Sequence, residues 1–130
     1  MYVLDTNSVV FFFKGQGRVG DRLLARKPVE VALPAIVLYE LEVGVIRSKA
    51  PARRREQLDT FLDGTRVIPF GPAEARAAAE IRAELERSGE GIGPLDTLIA
   101  ATALASRGTL VTHNTREFRR VPGLSVEDWY

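Results

Sequence analysis

Short apolar runs alternate with longer amphipathic segments along most of the chain. Runs with the length and β-branched character of buried strands are Tyr2–Leu4, Val29–Leu33, Thr65–Phe70 and Thr109–Thr112, and Leu124–Val126 fits a short edge strand. The segments between them have helical periodicity. Strands alternating with helices at these lengths predict an α/β fold, a three-layer α/β/α sandwich with a central, mainly parallel sheet.

The longest apolar helix is predicted over Ala35–Ser48. Its apolar residues surround almost the whole circumference, so we expect it to be buried on most sides. Other helices are predicted over Thr6–Lys14, over Ala73–Arg87 and from Pro94 onward, where Gly108 is expected to end the last one. No linker or repeat interrupts the pattern, and we expect residues 1–130 to form one domain.

Composition narrows the chemistry. The 130 residues include no cysteine and a single histidine, His113, which excludes disulfides, thiolate metal sites and cysteine nucleophiles. Any metal must therefore be held mainly by oxygen atoms. The formal net charge is +1. We expect a cytoplasmic protein, because no signal peptide or apolar run of membrane-spanning length is present.

Acidic residues fall at positions where a ligand site would form. Asp5 ends the first strand and Asn114 follows the fourth, so both are expected at the carboxyl edge of the sheet. Asp96 lies in the first turn of a helix, where an acid also serves simply to offset exposed N–H groups. Glu40 and Glu42 lie in the apolar helix, where pairing with arginine is the simpler interpretation; position alone does not choose between them.

Taken together, three carboxylates at one crevice would repel one another unless a divalent cation compensated them. Ligation by oxygen alone selects Mg²⁺ or Mn²⁺, and such a site is suited to phosphodiester hydrolysis. The sequence contains no G-x-G-x-x-G after the first strand, no P-loop and no G-x-S-x-G, which argues against dinucleotide, P-loop and α/β-hydrolase sites.

Two further stretches have competing interpretations. The basic run Arg47–Arg55 is either a phosphate-contacting surface or, more commonly for such runs, a solvated helix face. The triplet Phe11–Phe13 belongs either to the core or to an interface with a partner or second subunit.

Four segments, in this order and spacing, resemble the PIN-domain ribonucleases of the VapC toxin type. Each segment alone is a weak signal, but the set spans nearly the whole chain. The segments are Val3–Asn7, Leu33–Gly44, Ile92–Ala100 and Leu110–Phe118.

The resemblance implies a Mg²⁺-dependent endoribonuclease of a type II toxin–antitoxin system, with Mn²⁺ able to substitute. By position, Asp5, Glu40 and Asp96 are the metal-holding catalytic carboxylates, and Asn114 occupies a fourth position that is often acidic in PIN domains. Asn114 would contribute no charge, and Glu117 is a candidate to supply it. The resemblance further implies an RNA substrate, a VapB-type antitoxin partner whose C-terminal segment lies near the active site, and a homodimer.

Two alternatives stay open at this point. One is a PIN-fold nuclease that processes RNA without a toxin role. The other is a non-catalytic interaction module, whose acids are helix caps and ion pairs and whose Phe11–Phe13 surface binds a partner.

Overall fold

The structure, a computed structural model, describes residues 1–130. None of its helices combines the length and hydrophobicity that crossing a membrane requires. The strands are β1 (Tyr2–Leu4), β2 (Val31–Pro34), β3 (Arg66–Ile68), β4 (Thr109–Val111) and β5 (Ser125–Glu127). The α-helices are α1 (Thr6–Lys14), α2 (Val19–Leu24), α3 (Ala35–Arg47), α4 (Pro51–Leu62), α5 (Pro72–Ser88), α6 (Pro94–Ala105) and α7 (Thr115–Phe118).

The five strands form one sheet in the order β3-β2-β1-β4-β5, and every neighbouring pair is parallel. The predicted α/β sandwich with a mainly parallel sheet is therefore confirmed, and the sheet is parallel throughout. Because β1 lies in the centre, the chain winds outward from it in both directions. In such sheets the crevice at the carboxyl end of the central strand is where ligands bind.

The core lies on the central strands. Val3, Leu4, Leu33, Leu110 and Val111 have no exposed surface. All four residues of β2 are buried, as expected for a strand of a parallel sheet covered on both faces. The carboxyl ends of β1 and β4 are therefore held rigidly.

Two expectations about local structure were wrong. The second strand begins at Val31, because Pro28–Glu30 form a short 3-10 helix that leaves Val29 81% exposed. The helix α3 is not buried on most sides. Only Val37, Leu41 and Val45 are buried along it, whereas Ile46 is 76% exposed.

Gly108 has a role other than the predicted one. The residue with left-handed backbone after α6 is Arg107, at φ 57°. A Cβ on Gly108 would stand 2.7 Å from Val3 Cγ2, so glycine is needed there for close approach to β1.

The triplet Phe11–Phe13 packs against the core, which favours the core interpretation over an interface. The rings of Phe12 and Phe13 lie 5.7 and 5.6 Å from that of Phe61 on α4. These contacts attach α1 to α4, whereas Phe11 contacts His113 and Tyr130 instead.

Candidate active site

Asp5 lies at the centre of the site, between β1 and α1. Its backbone N–H donates to the Val111 carbonyl of β4 at 3.1 Å, and its side chain accepts from the Ser8 N–H at 2.9 Å, which caps α1. Only 5% of Asp5 is exposed. Burial raises the pKa of this carboxyl, polar groups of Thr112 and Ser8 lower it in part, and the charge of Glu40 raises it further.

Glu40 reaches the site from α3. That helix starts immediately after β2 without an intervening loop, so its first turns stand over the carboxyl edge of the sheet. The Thr6 hydroxyl, at the start of α1, donates a 2.6 Å hydrogen bond to Glu40 Oε1. Thr6 therefore orients this carboxylate toward the end of β1.

Asp96 enters from the first turn of α6, after Pro94 at its start. Burial raises the pKa of Asp96, and the charges of Glu117, Glu40 and Asp5 raise it further, in that order. Two charges affect one another's pKa in this way only when they lie close together. The three predicted carboxylates thus lie at the same edge of the sheet rather than in separate parts of the molecule.

Asn114 and Glu117 complete this edge. The Asn114 N–H donates to Thr112 Oγ1 at 3.0 Å, and its Nδ2 donates to Glu117 Oε2 at 2.9 Å. Glu117 is presented by α7, a helix of only four residues that the hydrophobic pattern did not predict. The available signal was the polar Asn114-Thr115 pair, which is typical of a helix start, followed by an acid.

These acids are not compensated by basic side chains. None of the ion pairs in the structure includes Asp5, Glu40, Asp96 or Glu117. No arginine or lysine contributes to the pKa shift of Asp5 or Asp96. A group of carboxylates left in this state favours binding of a cation.

Glu42, two residues from Glu40, has the opposite surroundings. Arg55 Nη1 on α4 donates to Glu42 Oε1 at 2.9 Å, a second guanidinium hydrogen bond reaches Oε2, and these contacts lower the pKa of Glu42. Arginine pairing, the simpler of the two interpretations, therefore applies to Glu42. It does not apply to Glu40.

The donor set fits a hard divalent cation in chemistry, because it consists of carboxylate and amide oxygens only. It is not gathered at a single point, since no three acidic or histidine side chains are arranged as a ready ligand set. The uncompensated charge at Asp5 and Asp96 is therefore the observation that supports metal binding here.

A cavity of about 320 Å³ adjoins the site and is shared by α1, α3 and α4. Thr6 and Glu40 are among its lining residues, together with Lys14 and Arg54. Most of the Arg47–Arg55 run is exposed, with Arg55 paired to Glu42 and Asp59. Most of the run is therefore a solvated face, and Arg54 is its member at the cavity.

Comparison with known proteins gives concordant results. The chain matches the PIN domain family over residues 2–124. It is 38% identical over 131 residues to ribonuclease VapC2 of Rickettsia felis, covering 99% of this chain and 98% of that one. It is 36% identical to the tRNA(fMet)-specific endonuclease VapC of Salmonella typhimurium, over 98% and 97% of the two chains.

A solved structure agrees in fold. The crystal structure of DNA-bound VapBC from Salmonella typhimurium superposes with a TM-score of 0.93 at 34% identity and covers 99% of this chain and 98% of that one. The family match, the full-length similarity and the shared fold point to the same group of proteins. The chain belongs to the PIN domain family and, within it, to the VapC ribonucleases.

Proposed function

We propose that this protein is a metal-dependent endoribonuclease in which Asp5, Glu40 and Asp96 hold Mg²⁺, or Mn²⁺ in its place. The observation that carries the proposal is the group of acids at the carboxyl edge of the sheet with no basic partner. Membership of the VapC ribonucleases supports RNA as the substrate.

When bound, such a cation polarises the scissile phosphate and makes a water molecule more acidic. The protein's own contribution is to fix the acids in place before substrate arrives. Asp5 is held by the end of β1 and the cap of α1, and Glu40 by the Thr6 hydroxyl. Holding these two side chains in place reduces the reordering that cation binding and the reaction require.

Asn114 and Glu117 act as one unit in this proposal. Their mutual hydrogen bond connects Asn114 to Glu117, whose charge acts on Asp96, and Glu117 brings the negative charge that Asn114 lacks. Asn114 offers a neutral oxygen to a cation or to water. Glu117 therefore replaces the acid that PIN domains often carry at the Asn114 position.

The partners follow from the relatives. The solved neighbour is a VapBC complex, and we propose that this chain is the toxin of such a pair, held inactive by a VapB-type antitoxin. The cavity beside Glu40 has the position and apolar lining to receive an antitoxin segment. We also propose a homodimer, for which exposed Tyr39 and Ile46 on α3 offer apolar surface.

The substrate proposed is initiator tRNA, because relatives at 34% and 36% identity are named tRNA(fMet)-specific endonucleases. The test is incubation of the chain, freed of antitoxin, with tRNA(fMet) and with an elongator tRNA of similar length. With Mg²⁺ or Mn²⁺ we expect cleavage of tRNA(fMet) at one main position, and EDTA should stop it.

Each other outcome would reject a different component of the proposed function. Equal cleavage of both tRNAs would retain the nuclease and reject the tRNA(fMet) preference. Cleavage that persists in EDTA would reject the metal. No cleavage of either tRNA with either metal would favour the interaction module over the enzyme.

A further inference from the structure

Two aromatic rings form a stacked pair beside the acidic edge. The ring centroids of His113 and Tyr130 are 4.3 Å apart, with an angle of 27° between their planes. Phe11 of α1 approaches both rings edge-on, at 5.8 Å from His113 and 4.8 Å from Tyr130. The pair therefore packs against the helix that Asp5 caps.

The pair stands next to the site residues along the chain and in space. His113 lies between Thr112, which contacts Asp5, and Asn114, and consecutive Cα atoms are about 3.8 Å apart. The Asp128–Tyr130 segment follows β5, the neighbour of β4, and all strands end at the same edge. The stacked rings thus border the carboxylate edge on its β5 side.

Hydrogen bonds within the chain hold both residues of the pair in place. His113 Nδ1 donates to Asp128 Oδ2 at 2.9 Å, and Asp128 Oδ1 accepts the Tyr130 N–H at 2.9 Å. The Arg18 N–H donates to the Tyr130 carbonyl at 3.2 Å. Little conformational entropy would therefore be lost when a further ring stacks on the pair.

Packing in the hydrophobic core does not explain why the two rings are stacked, because much of the surface of both side chains faces solvent. The His113 side chain is 50% exposed, and Tyr130 is 46% exposed. Single-stranded RNA is bound by stacking its bases on such exposed aromatic rings, and every base has a face for this contact.

We propose that His113 and Tyr130 form a stacking platform for a base of single-stranded RNA that neighbours the scissile phosphate; this inference rests on the proposed function. The platform recognises the face of the base rather than its charge. It therefore adds binding that contacts to the phosphate backbone cannot supply. We expect one stacked base to increase the affinity for RNA about 5- to 150-fold.

The test compares two probes of equal charge, a ten-nucleotide oligoadenylate and a ten-unit abasic ribose phosphate. Binding is measured in an Asp96→Asn background so that the probe is not consumed. We expect the oligoadenylate to bind at least about 5-fold more tightly. His113→Leu and Tyr130→Leu should each bring this preference close to one, and Tyr130→Phe, the matched control, should retain it.

A second measurement needs no substitution at the platform. His113 is the only histidine, so its two carbon-bound ring protons give a unique NMR signature. Stacking of adenine on the imidazole should move these signals upfield with oligoadenylate and leave them in place with the abasic chain. This result stays informative even if Tyr130→Leu, which removes packing against Gly17, fails to fold.

The platform is overturned if the two probes bind equally, if both leucine variants keep the preference, or if the His113 signals respond equally to both probes. The proposed function has a separate readout, which is cleavage of tRNA by the unsubstituted chain. If the unsubstituted chain cleaves tRNA but the two probes bind equally, only the platform is rejected.

Discussion

Glu40 and Glu42 are two residues apart on α3 and have opposite surroundings. Glu42 receives a forked contact from Arg55, which also lies 3.5 Å from Asp59. Glu40 receives only the Thr6 hydroxyl and faces the region of Asp5 and Asp96. The same helix thus carries one carboxylate that the fold has compensated and one that it has not.

The difference separates a carboxylate that stabilises the fold from carboxylates that are available to bind a ligand. The Glu42–Arg55 pair is complete within the chain, so it needs nothing from outside. Burial and mutual repulsion of the acids around Asp5 lower the free energy of unfolding, and a bound cation would offset this loss. We therefore expect the two regions to respond differently to substitution.

The largest difference should appear in RNA cleavage. Removing an outer partner of a metal site typically costs about 10- to 100-fold, so loss of a direct ligand in Asp5→Asn or Asp96→Asn should cost more than about 100-fold. Glu42→Gln, the matched control on α3, should stay within about 3-fold of the unsubstituted chain, because its partner is only Arg55. Initial rates of tRNA cleavage measure both. Equal losses in all three variants would remove the distinction between the regions.

A smaller effect is expected at Thr6, which positions Glu40. Thr6→Val keeps the shape of the side chain but loses the 2.6 Å hydrogen bond, and it should lower the cleavage rate about 10- to 100-fold. Thr6→Ser restores a hydroxyl and should recover most of the rate. The assignment is wrong if the serine variant is as slow as the valine variant while both melt like the unsubstituted chain.

Stability without metal should change in opposite directions in the two regions. Burial raises the pKa of Asp5, so the stability contributed by its protonated form is present below about pH 3.8 and is lost as pH rises through the raised pKa. Asp5→Asn keeps a good helix cap and removes the charge, so at pH 7 in EDTA it should raise Tm, by about 2–6 °C.

The same comparison has an internal check by pH. The gain in Asp5→Asn should shrink as the pH falls from 7 toward the ordinary carboxyl value of 3.8, because a carboxyl with a raised pKa takes up its proton before that value is reached. The pKa of Glu42 is lowered by Arg55, so Glu42→Gln should lower Tm at pH 7 instead. Thermal melts at the two pH values measure this. A decrease for Asp5→Asn at pH 7 would show that its carboxylate is compensated after all.

The smallest effect is expected at Arg55. The side chains of Arg55 and Glu42 are 41% and 36% exposed, so solvent screens their attraction. Arg55→Met should leave cleavage unchanged and lower Tm by less than about 3 °C, and about 0.5 M salt should abolish the difference. A loss of cleavage in Arg55→Met would connect the compensated region to the active site.

The sheet and most helices could be predicted from the sequence because short apolar runs alternate with longer segments of helical periodicity, and proline or glycine stands at several of their ends. Asp5, Glu40 and Asp96 could be placed at one edge for the same reason, since each lies at the end of a strand or in the early turns of a helix. Glu40 could not be separated from Glu42 by pattern. The choice depends on Arg55, which is on another helix.

Other features depend on contacts that no local pattern contains. The helix α7 is too short for periodicity, so the pattern could not predict that the charge of Glu117 acts on Asp96. Ile46 fits the apolar pattern of α3, yet it is exposed because nothing in this chain covers that face. The stacking of His113 on Tyr130 joins residues that follow different strands.

Metal binding in the absence of RNA depends only on the carboxylates that the chain leaves uncompensated. In a calorimetric titration with Mn²⁺, the unsubstituted chain and Glu42→Gln should both bind the ion, and Asp96→Asn should bind it at least about 10-fold more weakly. Equal affinity in all three proteins, or no binding by any of them, would show that the acids at this edge of the sheet do not hold a metal ion.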